Sequence, residues 1–131
     1  MAPVRRYIDE GAWDKGRTNV NYCTRMLALR KNMKKVAEQL SGDDYYDALD
    51  ITADLDNTMT QLDASLYTPL FIPADDGVSV EQAKYQRQAS EYYSNALDYI
   101  ESFLSKLPTD VLERAQSKAA TAKYEISFED K

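Results

Sequence analysis

The sequence contains no histidine and a single cysteine, Cys23. Lacking histidine, it has no access to the usual general base, the usual partner in a nucleophilic triad or the commonest transition-metal ligand. One thiol forms neither an internal disulfide nor a cysteine-rich metal site. Glycine and proline are scarce at four each, while 44% of residues are hydrophobic and 29% charged. That balance excludes disordered, collagen-like and low-complexity chains. No apolar run approaches the roughly 18 residues of a membrane-spanning helix, so none is expected. Behind the opening Met-Ala-Pro there is neither a transit peptide nor an apolar signal core, and a mature form is expected. A length of 131 residues suits one packed domain. These absences point away from an enzyme and toward a binding or structural role, with no cofactor and no metal.

Charge is present, and it is segregated. Residues 1–40 carry nine Lys/Arg against four acids, residues 41–80 carry nine aspartates and no base, and residues 81–131 carry seven bases against nine acids. A basic third can fold against an acidic third, or a face of one sign can steer the protein to an oppositely charged partner. Nucleic acid is not an expected partner. The net charge of −6 repels phosphate, and no basic stripe interleaved with aromatics occurs.

Apolar periodicity predicts three long helices. Over 18–40, Val20, Cys23, Leu27, Leu29, Met33, Val36, Ala37 and Leu40 recur near the helical period. Arg25, Arg30, Lys31, Lys34 and Lys35 fall largely on the other faces. Ser41-Gly42 is the expected stop, with Gly42 at positive φ. Over 43–66 the inner stripe is Leu49, Thr52, Leu55, Met59, Leu62 and Leu66, and Asp43, Asp47, Asp50 and Asp54 share an outer face. Like charges at that spacing repel by a few tenths of a kcal/mol per pair. A cationic neighbour is therefore expected, either Lys34/Lys35 across the turn or a partner protein. Asp54-x-Asp56-Asn57 is not a calcium loop, since Met59 and Ser65 stand where glycine and a bidentate glutamate belong.

Pro69 and Pro73 bracket Leu70-Phe71-Ile72, expected to fold back as a lid over the end of the bundle or else to stand exposed as a contact for a partner, and Asp75-Asp76-Gly77 signals a turn. Ser79 and Gln82 form a capping box opening a helix to Leu107, with Ala83, Ala89, Tyr92 or Tyr93, Ala96, Ile100, Phe103 and Leu107 inward. Pro108 ends it. A shorter helix is predicted from Asp110 to about Lys123, then a strand-like Tyr124–Phe128. At the other end Val4, Tyr7 and Ile8 form a short helical pattern stopped near Gly11. Most of the ten tyrosines are expected at the core edge, ring buried and hydroxyl wet. The fold class is all-α, an up-down-up-down four-helix bundle over 1–107 with a short C-terminal extension over 108–131. The helix after Pro108, the segment before Trp13, or both fill its fourth position.

Two stretches carry a resemblance. Val4-Arg-Arg-Tyr-Ile-Asp-Glu-Gly-Ala-Trp13, leading into an Arg-containing helix, resembles the join between the first two helices of PsbQ, an extrinsic lumenal protein of photosystem II. Glu91-Tyr-Tyr-Ser-Asn-Ala-Leu97, running on to Leu104-Ser-Lys-Leu107, resembles the last helix of that family. The chain departs from the plant proteins in starting almost at the join, in being acidic, and in continuing 24 residues past Leu107. In these respects it is more similar to the PsbQ-like subunits of red algae and diatoms.

The resemblance implies a non-catalytic subunit in the plastid thylakoid lumen, peripheral to the membrane. It would bind the photosystem II core and other extrinsic subunits and help retain calcium and chloride at the oxygen-evolving complex. The alternative is a helical adaptor or chaperone that grips a partner helix in an exposed apolar groove. Candidate docking residues are Arg5, Arg6, Tyr7 and Trp13, the row Asp43, Asp47, Asp50 and Asp54, and the tail residues Tyr124, Ile126 and Phe128. A lone tryptophan beside a helix start is also the usual form of a core plug.

Overall fold

The computed structural model describes residues 2–74, 77–114 and 116–118, which are helical with short connections and contain no strand. Five α-helices follow in order: α1 (Pro3–Glu10), α2 (Trp13–Asn21), α3 (Leu29–Ala37), α4 (Gly42–Tyr67) and α5 (Val80–Leu104). A π-helical turn, Tyr22–Met26, follows α2, and a 3₁₀ turn, Thr68–Phe71, follows α4. Residues 109–114 and 116–118 are also helical. The rest of the expected 110–123 helix, the strand-like tail, and Asp75 and Asp76 lie outside the described residues.

α4 and α5 follow the periodicity closely. Leu55, Met59, Leu62 and Leu66 are fully buried along α4, with Ala48 and Thr52 on the same stripe. Opposite them α5 presents Ala89, Tyr93, Ala96 and Phe103; the alanines allow close approach, and the aromatic rings fill the wider gaps. Burying each Leu or Met contributes about 1.5–3 kcal/mol. The polar residues within α4 are satisfied locally: Thr52 Oγ1 donates to Ala48 O at 2.8 Å and Ser65 Oγ to Gln61 O at 3.0 Å. At the start of α5, Gln82 N donates to Ser79 Oγ and Ser79 N to Gln82 Oε1, both at 3.1 Å.

α1 packs on α2 and α5, α2 and α3 pack on α4, and α4 packs on α5. Val4 and Ile8 are the inward residues of α1. Its join to α2 depends on Gly11, which sits at φ 69° with its N–H bonded to Ile8 O. A Cβ there would lie 2.8 Å from Val78 Cγ2, so the left-handed turn and the close approach both require glycine. Gln86 Nε2 donates to Ile8 O at 2.8 Å and Asp9 O at 3.1 Å, closing the carbonyl end of α1 against α5.

The helix expected over 18–40 is interrupted. Leu27 N donates to Tyr22 O at 2.9 Å, a five-residue step that inserts one extra residue into the winding. Ala28 then takes φ 47° and ψ 52° before α3 begins, and Asn32 Nδ2 bonds Leu27 O at 2.6 Å. The physical reason is a phase slip. Leu27 and Leu29 are two residues apart and cannot both face the core of one continuous helix. The break turns Leu29, Met33 and Ala37 inward and leaves Leu27 49% exposed. Gly42 has positive φ (61°) as expected, but as the first residue of α4.

The lid expectation is corrected in part. Pro69 is buried and Ile72 half-buried, but Phe71 is 68% exposed and Leu70 38%. Gln82 explains this: its Nε2 donates to Pro69 O at 3.0 Å and Ile72 O at 3.2 Å, holding the turn by its backbone. Phe71 packs edge-on against Tyr67, centroids 4.9 Å apart, rather than over the core.

A non-glycine residue in the left-handed region costs about 1–2 kcal/mol. Ala28→Gly removes that strain and loses part of the gain to backbone entropy. The expected outcome is a net stabilisation of about 0.5–1 kcal/mol, measured as an increased urea midpoint at unchanged far-UV circular dichroism.

Candidate docking surfaces

The tertiary ion pairs of the described residues draw on α4 for their acids. Arg17 Nε donates to Asp63 Oδ1 at 2.9 Å and Arg17 Nη2 to Asp63 Oδ2 at 3.3 Å, a two-pronged geometry. Asn21 Nδ2 adds a bond to Asp63 Oδ1 at 3.3 Å, and the Arg17 guanidinium lies over the Tyr67 ring, 4.5 Å from its centroid. The hydrogen bond to Asp63 raises the pKa of Arg17 above its ordinary value, against a smaller opposing effect of burial. Arg17 and Asp63 are both about three-quarters covered, so this pair joins α2 to α4 with limited screening. Arg30 Nη1 reaches Asp56 Oδ2 at 3.3 Å in a more exposed pair between α3 and α4.

The aspartate row acquires a cation, but a different one from that expected. Lys106, just past α5, lies 3.5 Å from Asp47 and 4.0 Å from Asp44. Lys34 and Lys35 form no ion pair among the described residues, nor do Asp43, Asp50 and Asp54, which are exposed. The expectation of a Lys34/Lys35 counter-charge is therefore corrected. The lysines point outward from α3, and the turn after α5 brings Lys106 to the beginning of α4.

The amino-terminal candidates divide. Trp13 is only 7% exposed and belongs to the hydrophobic core, so it is a plug at the head of α2 and offers no docking surface. Arg5 is exposed, yet its guanidinium sits over the Tyr93 ring at 5.1 Å and ties α1 to α5. Arg6 is exposed, 4.0 Å from Glu10 and over the half-buried Tyr7 ring. Tyr124, Ile126 and Phe128 lie outside the described residues.

Two grooves flank α3. One, about 830 Å³, lies beside the helix break and collects Arg25, Arg30, Lys31, Lys34 and Lys35, with Glu38 and Asp56 as its acids. The other, about 390 Å³, runs between α3 and α4, with Arg30, Lys34 and Glu38 on one wall and Tyr45, Leu49 and Ala53 on the other. The sequence shows these cations but does not mark them as a site, because a charged outer helix face ordinarily means only solvation. The single local sign was the two-residue step from Leu27 to Leu29. Among the described residues no group of His, Cys, Asp or Glu is placed to hold a metal ion. The arrangement offers hydrogen-bond donors and fixed charge.

No protein-family model matches the chain, and no curated protein or solved structure matches it.

Replacing Asp63 by alanine leaves Arg17 and Asn21 without their shared acceptor. The expected loss is about 1–2 kcal/mol of unfolding free energy, measured by urea denaturation. Alanine at the exposed Asp50 is expected to lie within about 0.5 kcal/mol of the parent.

Proposed function

We propose that this protein is a non-catalytic docking subunit, an extrinsic PsbQ-like protein of photosystem II. On this reading it lies on the lumenal side of the thylakoid, binds the photosystem II core and neighbouring extrinsic subunits, and supports calcium and chloride retention at the oxygen-evolving complex. The observation that carries the reading is the conformation of Val4–Trp13, the stretch most similar to the family's join between its first two helices. Here it is a helix join: α1 ends at Glu10 and is capped by Gly11, and α2 begins at the buried Trp13. The second similar stretch, Glu91–Leu97, lies within α5, the last long helix described.

The same reading treats the architecture as an up-down-up-down four-helix bundle. α1 is its short first rod, α2 and α3 together its broken second, α4 its third and α5 its fourth. The contacts of α1 with both α2 and α5, of α2 with α4, and of α4 with α5 support a ring of that order. α1 has 8 residues and α5 has 25, so the ring is complete at one end only. The exterior supports a role in adhesion: cations on α3 and carboxylates on α4 are uncovered, and the groove at the helix break is lined by charge. No helix among the described residues is long and apolar enough to cross a membrane, in keeping with a peripheral mode of attachment.

The test is reconstitution with photosystem II membranes stripped of their extrinsic subunits by salt washing. The expected result is saturable binding, released as ionic strength rises, with oxygen release recovered at low chloride and calcium. Absence of saturable binding, or binding with no effect on oxygen release, would overturn the reading.

A further inference from the structure

We infer that the two grooves flanking α3 form one docking surface for an extended segment of a partner protein in which acidic and apolar residues alternate. The first groove is basic. Arg25, Arg30, Lys31, Lys34 and Lys35 line it against two acids, Glu38 and Asp56, and Asp56 is engaged by Arg30 at 3.3 Å. Arg25, Lys31, Lys34 and Lys35 are exposed and take part in no ion pair among the described residues. The π turn adds to this concentration, because it sets Arg25 into the same groove as the lysines of α3. Like charges gathered in one concavity repel one another and attract an anionic occupant.

The second groove supplies what a simple anion does not use. Its α4 side is Tyr45, Leu49 and Ala53, spaced one helical turn apart. Tyr45 and Leu49 are half-buried and Ala53 is exposed, so an apolar side chain laid across them leaves water on that side. Arg30, Lys34 and Glu38 line both grooves and are therefore the wall between them. The aliphatic stems of Arg30 and Lys34 can cover an apolar guest while their charged heads stay with the acids.

That wall sets the form of the occupant. From Arg30 to Glu38 it runs about 12 Å at the helical rise, which about four residues of extended chain cover. Successive side chains of an extended chain point to opposite sides. A segment lying along the wall thus sends alternate residues into the basic groove and the intervening ones over Tyr45, Leu49 and Ala53. Glu38 repels the acids and confines them to the Arg30–Lys34 end. Asp43, Asp50 and Asp54 line neither groove. The net charge of −6 opposes an acidic segment at long range, but beyond about 10 Å it is screened at ordinary ionic strength. A flat bilayer or a free polyphosphate would meet the cations and leave the second groove empty. The inference goes beyond the photosystem II reading, since it names the chemistry of the partner segment and holds whatever complex that segment belongs to.

Fluorescence anisotropy of a labelled peptide, Glu-Leu-Glu-Phe-Glu-Leu-Glu, titrated with the full chain tests this. The control peptide carries the same residues reordered as Glu-Glu-Glu-Glu-Leu-Phe-Leu. The alternating peptide is expected to bind with a dissociation constant of about 10–100 μM at about 0.1 M salt, and at least about tenfold more weakly at about 1 M. Three variants whose far-UV circular dichroism matches the parent complete the set. Lys31→Glu with Lys35→Glu is expected to weaken binding by about tenfold or more, and Glu38→Gln to tighten it by about two- to threefold. Ala53→Glu is expected to weaken the alternating peptide by about fivefold and bring it level with the reordered one. Absence of binding at millimolar peptide and low salt would overturn the inference, as would indifference to the lysine reversals. Equal affinity of the parent for both peptides would overturn it too and reduce the surface to a plain anion site. Binding of phosphatidylglycerol vesicles or inorganic polyphosphate without binding of the peptide would assign the cations to a lipid or a free anion instead. The assay contains no photosystem II, so its failure leaves the reconstitution test, and the reading that test addresses, unaffected.

Discussion

Every long-range pairing of charge in the described structure uses the same helix, and the hydrophobic core depends on it too. The fully buried Leu55, Met59, Leu62 and Leu66 of α4 form the surface against which α2, α3 and α5 are laid. Its aspartates then lock the arrangement from outside: Asp63 to Arg17 on α2, Asp56 to Arg30 on α3, and Asp44 and Asp47 to Lys106 beyond α5. One face supplies most of the burial energy, which is non-directional. The others supply directed contacts that fix the rotation of each neighbour. Gly16 shows how close the approach is, since a Cβ on it would come within 3.1 Å of Leu66 Cδ1.

The break between α2 and α3 follows from that constraint. A continuous helix over residues 18–40 would bury either Val20 or Met33 and Ala37 against α4, but not all three, because of the phase slip at Leu27 and Leu29. The π turn and the left-handed Ala28 let both halves bury their own stripes. The cost is a strained alanine and exposed Met26 and Leu27. The consequence is a charged face of α3 turned outward, with Lys31, Lys34, Lys35 and Glu38 beside a groove where the winding changes.

Local features were legible because their physics is local. The ends of α4, the start of α5 at the Ser79–Gln82 capping box, the stop at Gly11 and the inward stripes of α4 and α5 each depend on residues within a few positions of one another, whereas α5 ends at Leu104, short of the expected Leu107. The tyrosines also behaved as expected, with Tyr93 buried and Tyr7, Tyr45, Tyr85, Tyr92 and Tyr99 half-buried, while Tyr22, Tyr46 and Tyr67 are the exposed exceptions. The candidate site was legible only in outline. The aspartate row could be read from spacing, but Lys106 stands 59 residues from Asp47, and no local pattern connects them. A lone tryptophan beside a helix start is more often a plug than a contact, and the burial of Trp13 agrees with the plug.

The sequence by itself determined an all-helical chain with segregated charge, without histidine chemistry, and with apolar stripes that demand mutual burial. Those properties follow from composition, capping and the helical period, each of which acts without knowledge of the fold. Tertiary structure alone decided which carboxylates are neutralised, where the helix expected over 18–40 breaks and which aromatics stay in water. These depend on the relative rotation and register of whole helices, which the core fixes by packing and a one-dimensional pattern leaves open.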